Sequence, residues 1–186
     1  MSVLKDKNFL GFVFKFLLLF CVLYFGTLGM IGLAAPGNSY SPFVEKYLDY
    51  VSWIKHSLLW AVKNVSALGG YVTVIKPGFV ISGENKLGVF IAMDCVGYGV
   101  YSFWAAYVIA HEGTVLKKIG WAVGGILLLW FINVLRITLF LIAINESWAM
   151  PLGIDHHTWF NIVAYAAILL MIWRFEKMRT GPRGLA

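Results

Sequence analysis

Apolar residues fall into long runs separated by short polar stretches. Residues 16–35, 119–144 and 158–173 form three such runs, and the last ends on Trp173. A helix needs about 20 apolar residues to cross the hydrocarbon of a bilayer, and tryptophan favours its rim. A fourth run, 87–110, is apolar but interrupted at Asp94. Between the first and fourth runs the pattern changes. Ser41-Pro42 reads as a helix start, with a capping serine and proline at the first helical position. Phe43, Tyr47, Val51, Ile54, Leu58, Val62, Val65 and Leu68 then recur at spacings of three and four, up to Gly69-Gly70. That is one amphipathic helix, with Lys46, Asp49, Lys55, His56 and Lys63 on its polar face. It would lie on the membrane surface or pack against the bundle. Residues 71–75 and 79–82 are β-rich and flank Lys76-Pro77-Gly78, which predicts a hairpin, with 87–93 as a possible third strand. Asp94 is a good N-cap and Gly88 a poor helix residue, so the second membrane helix is expected to begin near Asp94 rather than Leu87.

The expected fold is therefore an all-α integral membrane protein. A single domain over 1–186 would form a bundle of about four transmembrane helices, near 16–35, 94–111, 119–144 and 157–174. An extracytoplasmic segment, 36–93, would carry the amphipathic helix and the short β-hairpin. Composition agrees: of 186 residues, 60% are hydrophobic and 13% charged, against roughly 45–50% and about 25% in soluble domains. The N-terminus has signal-peptide features in Lys5, Lys7, Ala34 and Ala35, but its core is long and Pro36 would follow the cleavage point, so it reads as a retained helix.

The net charge of +6 comes from basic residues beside the apolar runs, which is a topology signal and does not point to nucleic acid. Lys117, Lys118 and the basic tail (Arg174, Lys177, Arg179, Arg183) read as cytoplasmic, whereas 145–155 carries no Lys or Arg and reads as outside. Four crossings then put the N-terminus inside, with Lys5, Lys7 and Lys15. Against this, segment 36–86 carries five lysines and three acids, although its length is near the limit where the charge rule weakens. The location expected is the plasma (inner) membrane, multi-pass.

Few ionisable residues lie within the apolar runs, and each is a functional candidate. Arg136 is about 12 Å below the outer end of its run at 1.5 Å per residue, too deep for ordinary snorkelling. Asn133 is one turn earlier on the same face. Arg136 would pair with backbone carbonyls or Asp94, or face a polar cavity. Cys95 lies near a predicted helix start, followed by Gly97 and Gly99, where the N-terminal field favours a thiolate and Asp94 opposes it. Cys21 reads as inert filler within the first run. No disulfide or zinc spacing is present. His156 and His157 open the last membrane helix, as a polar cap or as an acid/base. His111 and Glu112 fall on the cytoplasmic side, and His56 on a solvated face. The topology thus brings a thiol, a cation and an imidazole to one outer layer, the parts that acyl transfer requires: nucleophile, oxyanion support and proton carrier.

In order and spacing, Asp94-Cys95-Val96-Gly97, Asn133-Val134-Leu135-Arg136 and Asp155-His156-His157-Thr158-Trp159-Phe160-Asn161 resemble the exosortase/archaeosortase family. Its members are polytopic membrane enzymes regarded as cysteine transpeptidases. The likeness spans about 71–173. Val96 departs from the small residue common there, and the chain is shorter than members with about eight membrane helices. The resemblance implies a membrane-embedded cysteine protease or transpeptidase facing the extracytoplasmic side. Its substrates would be secreted proteins with tripartite C-terminal sorting tails, and the acceptor would be a lipid, a glycan or water. Cys95 would be the nucleophile, Arg136 the oxyanion or carboxyl clamp and His157 the general acid/base, with His156 the alternative. Phe160 and Asn161 follow His157 as in the family, whereas Asp155 before His156 argues the other way. No metal or organic cofactor is implied. The competing expectation is a non-enzymatic membrane assembly or transport subunit in which Arg136 is structural and Cys95 filler.

Overall fold

The computed structural model describes residues 7–37, 39–84, 86–148, 153 and 156–180. The chain is mostly helical. Helix α1 spans Lys7–Ala34, α2 Pro42–Tyr47 and α3 Tyr50–Leu68. Strands β1 (Thr73–Lys76), β2 (Val80–Gly83) and β3 (Gly88–Phe90) follow, then a 3-10 turn at Asp94–Val96. The rest is α4 (Tyr98–Ala110), α5 (Val115–Asn145) and α6 (His156–Thr180).

Two helices, α1 and α5, are long and apolar enough to cross a membrane. At 1.5 Å per residue they span about 42 and 46 Å. Protein buries only 6% of the most apolar stretch of α1 and 39% of that of α5. Phe14, Leu17, Leu18, Val22 and Phe25 point outward from α1, as do Ile119, Val123, Leu127, Leu128 and Phe131 from α5. The outward face of α6 is equally apolar, with Ile162, Val163, Leu169 and Leu170 exposed.

Helix α1 docks on α4 through an i, i+4 ladder. Phe12, Phe16, Phe20 and Tyr24 stack along one stripe and meet Tyr107, Phe103 and Tyr98. Helices α4 and α5 approach closely because position 125 is glycine. A Cβ there would overlap the Trp104 indole, whose Nε1 donates to the Trp121 carbonyl at 3.0 Å. Trp104 and Leu129 continue into the core formed with Ile168, Met171 and Phe175 of α6. At the Ala110 end of α4, Tyr107 Oη donates to Glu176 Oε1 at 2.9 Å, and His111 Nε2 lies 2.9 Å from the same oxygen. This polar pin fixes the register of α6 against α4.

The expected amphipathic helix is instead two helices. The chain breaks at Leu48-Asp49, and Asp49 Oδ1 accepts from the Ser52 amide at 3.0 Å, so aspartate caps the longer helix. Ser41 precedes Pro42 as expected but makes no side-chain cap. Of the two positions open to this helix, α3 takes the one against protein. Leu58, Leu59 and Val62 are buried with Val134, Ile137 and Leu141 of α5, and Trp130 Nε1 donates to Ser57 Oγ at 3.0 Å.

The hairpin exists and gains its third strand, so the fold is not wholly helical. The antiparallel order is β1-β2-β3, with Ile75 opposite Ile81 and Ile81 opposite Val89. Ile81 and Ile91 are fully buried against α3 and α5. Asn145 ties the sheet to the end of α5: its Oδ1 accepts from Leu87 N at 2.9 Å and its Nδ2 donates to Leu87 O at 3.2 Å. The next helix starts even later than expected. Asp94 opens the 3-10 turn rather than capping α4, whose N-cap is Gly97.

Candidate functional site

Cys95 lies on the 3-10 turn between sheet and α4. Its amide donates to Ala92 O at 3.1 Å, and that of Val96 to Met93 O at 3.1 Å. The turn ends where Gly97 adopts φ 82°, a left-handed conformation that glycine takes without penalty. A Cβ at Gly97 would also lie 3.9 Å from the Tyr101 hydroxyl and 4.0 Å from Asn133 Nδ2. From there the amides of Val100 and Tyr101 both donate to Gly97 O and start α4.

This reversal turns the carbonyls of Cys95 and Val96 away from any helical donor. Asn133 of α5 supplies one. Its Nδ2 donates to Cys95 O at 2.7 Å and to Val96 O at 3.3 Å, and it is fully buried. An amide nitrogen with two hydrogens suits a pair of adjacent carbonyls. Loss of such a donor in a buried site costs about 1–3 kcal/mol. Asn133→Ala is therefore expected to lower stability by about that amount, read from unfolding in mixed micelles. An unchanged midpoint would mean that the clasp contributes nothing.

Cys95 is 6% exposed and packs with Leu58, Leu59, Ile81, Ile91, Val134 and Ile137. Arg136 is half-buried, one turn beyond Asn133 towards the C-terminus of α5. Cys95 and Asn133 are thus joined directly, with Arg136 on the adjacent turn of the same helix. His156 and His157 open α6, but their imidazoles, like the Asp94 carboxylate, lie outside the described residues. Cys21 is exposed on α1.

Two groups that the sequence reading set aside belong to structured surroundings. His56 is exposed, with Nδ1 2.8 Å from Ser52 O and its ring against Phe79 at 5.0 Å. Lys55, expected on the polar face, is only 2% exposed. Its Nζ lies 4.7 Å from the centroid of Phe79 and 5.9 Å from that of Phe90. Burial pushes its ammonium below the usual lysine pKa, and the charge of Asp49 at the start of the helix opposes that shift. The signal was present in the spacing. Position 55 is four after Val51 and three before Leu58, on the stripe that continues to Val62 and Ser66, all buried. The charge of Lys55 points to solvent, whereas its position places it on the buried stripe.

Phe79 itself has φ 62°, a left-handed conformation that costs a bulky side chain roughly 1–3 kcal/mol. It follows Gly78 at φ 79° in the turn between β1 and β2. Ile91 N donates to Phe79 O at 2.9 Å and holds the strained residue in place.

Comparison with family models, with curated proteins and with solved structures gave no match to this chain.

Proposed function

We propose that this chain is a multi-pass membrane cysteine protease or transpeptidase of the exosortase/archaeosortase kind. It would remove C-terminal sorting tails of secreted proteins at the extracytoplasmic face. The observation that carries the reading is the Asn133 clasp on the carbonyls of Cys95 and Val96. It makes one unit of the Cys-x-Gly turn and the Asn-x-x-Arg helix, two motifs 38 residues apart.

Depth supports the same reading. From its start at Val115, α5 reaches Asn133 after about 27 Å, and α4 with its 3-10 turn spans about 26 Å, at 1.5 and 2.0 Å per residue. A hydrocarbon core is about 30 Å thick. Helices α1, α4, α5 and α6 would then form four crossings, with Cys95 near the outer rim and the His111–Glu176 pin near the inner one. From Glu176, α6 climbs about 28 Å back to His157, the level of the thiol. The outward apolar faces of α1, α5 and α6 would meet lipid. The outer half of α5 would leave the hydrocarbon and carry α3 and the sheet.

In this mechanism the Cys95 thiolate attacks the scissile carbonyl, and Arg136 supports the oxyanion. The imidazole of His157 protonates the leaving amine, then accepts a proton from the incoming acceptor or water. The thioester formed on Cys95 is resolved by that acceptor, which restores the thiol.

The test has two arms. Reporter fusions at Lys118 and Glu146 should report opposite sides of the membrane, and the same side for both would end the topology. Secreted reporters carrying a panel of tripartite tails should be shortened in cells that express this chain. No shortening of any tail would favour a non-enzymatic assembly or transport subunit.

A further inference from the structure

We infer that the corner between α2 and α3 dips into the outer leaflet and anchors the chain there, with Phe43, Tyr47, Leu48 and Trp53 against lipid. This rests on the four-crossing placement above. The inference begins from exposure. All four side chains are exposed although they follow one another around a single corner. Scattered exposed apolar residues are ordinary, but a patch of neighbours marks a contact surface. Helix α2 packs on α1, whose outward face carries Val22, Phe25 and Leu28. The patch therefore lies beside a helix whose apolar face is already assigned to lipid.

Contacts along α1 and α5 set the depth. At the inner end of α1, Phe12 meets Tyr107 and His111 beside the Glu176 pin. Ser41 N donates to Leu33 O at 2.8 Å, about 31 Å above Phe12 and so level with the outer rim. Tyr50 Oη then shares a 2.6 Å hydrogen bond with Thr27 Oγ1, about 22 Å above Phe12. Between Ser41 and Tyr50 the chain thus descends along α1. Helix α3 climbs again along α5: Trp130 donates to Ser57, and Tyr71, just past α3, reaches Glu146, just past α5, at 3.5 Å. Trp130 is about 22 Å above the start of α5, so the first turn of α3, two turns before Ser57, lies below the rim. The break at Leu48-Asp49 is the bottom of a shallow re-entrant hairpin.

The polar groups of the corner fit this depth. Helix α2 points downward, and helical side chains lean towards the N-terminus of their own helix, so Glu45 and Lys46 lean up towards the headgroups. Glu45 accepts from the Tyr40 hydroxyl, which precedes α2, and Lys46 lies over the Tyr47 ring at 5.1 Å. Asp49 is half-buried, and its carboxylate accepts from the Ser52 amide. Lys55 is covered by protein, and His56 has its Nδ1 2.8 Å from Ser52 O. Trp60 and Lys63 are exposed higher on α3, Trp60 about 10 Å above Trp53, and tryptophan and lysine favour the rim. An anchor at this height holds α3, which packs on the Cys95 turn, at one level of the outer leaflet.

The test reads depth directly and needs no substrate. Nitroxide labels are placed on single cysteines in the whole chain carrying Cys21→Ala and Cys95→Ala, in vesicles of phosphatidylcholine and phosphatidylglycerol. Leu48→Cys and Trp53→Cys probe the corner, so that one folded variant suffices. Leu17→Cys on the outward face of α1 is the lipid reference, and Trp60→Cys and Leu68→Cys sit higher on α3. Each label is read for collision with oxygen, which concentrates among acyl chains, and with a water-soluble nickel chelate. The oxygen-to-nickel ratio at 48 and 53 should approach that at 17 and exceed that at 68 several-fold, with 60 between. A corner as wet as position 68 would overturn the inference, and an oxygen-rich label at 17 would then leave the membrane placement standing. Nickel collisions dominating at 17 as well would remove both. An oxygen-rich label at 68 would also overturn the inference, since all of α3 would then lie in the bilayer instead of its first turn.

Discussion

Cys95→Ala is expected to abolish tail removal while leaving the protein folded and at normal levels in the membrane. Loss of a covalent nucleophile costs on the order of a million-fold in turnover, below any background that a cellular cleavage assay detects. The fold should tolerate the change because the clasp on this turn uses backbone. Asn133 donates to the carbonyls of Cys95 and Val96, and alanine at 95 keeps both. Only a sulfur is removed from the cluster with Leu58, Ile81 and Val134, a small loss beside the 2–5 kcal/mol of deleting a large core side chain. Cys21→Ala should cleave normally, since that thiol is exposed on α1 whereas Cys95 is buried in the core cluster. Asn133→Ala separates fold from chemistry. It should impair cleavage through a loosened turn, with a lowered unfolding midpoint that Cys95→Ala does not show. Normal tail removal by Cys95→Ala would eliminate the cysteine mechanism.

The second large effect concerns the histidines at the start of α6. His157→Ala is expected to slow cleavage by about 100- to 10,000-fold, the usual range for a general acid/base, and His156→Ala to leave it near normal. Adjacent helical residues point about 100° apart, so one imidazole at most can serve the thiol in a given geometry. The register of α6 is not free to slide, because Glu176 is held by Tyr107 and His111 on α4. Breaking that pin with Glu176→Gln should weaken cleavage without changing its pH profile, since it acts on position alone. Cleavage at matched enzyme levels decides among the histidines. A dead His156→Ala with an active His157→Ala would move the role by one residue. Activity in both would leave the proton to another group.

The sequence by itself determined which stretches are apolar and where they stop. Runs of apolar residues near 20 long and β-rich runs around Pro77-Gly78 are local properties, legible without tertiary contacts. A helix start later than Leu87 is legible too, since Gly88 disfavours a helical turn, but the expected start at Asp94 falls short of the observed one at Tyr98. The sequence could also propose that Cys95, Arg136 and the histidines at 156 and 157 share one layer, because helix lengths and charges constrain depth.

Other features were settled only between elements. The break at Leu48-Asp49 interrupts a stripe whose spacing reads straight through it, because Asp49 offers its carboxylate to Ser52 N and the two helices pack on different partners. Asn133 reaches the Cys95 turn across a packed pair of helices, α4 and α5, whose close approach at Trp104 the missing Cβ of Gly125 permits. The charge of Lys55 predicts a solvated side chain, yet burial belongs to position: once α3 lies on α5 and the sheet, Val51, Lys55, Leu58, Val62 and Ser66 are all covered. Chemistry tells what a side chain prefers in isolation. Packing of the whole bundle decides what it must accept, and the apolar side chains that α3 buries offset the cost of hiding one ammonium.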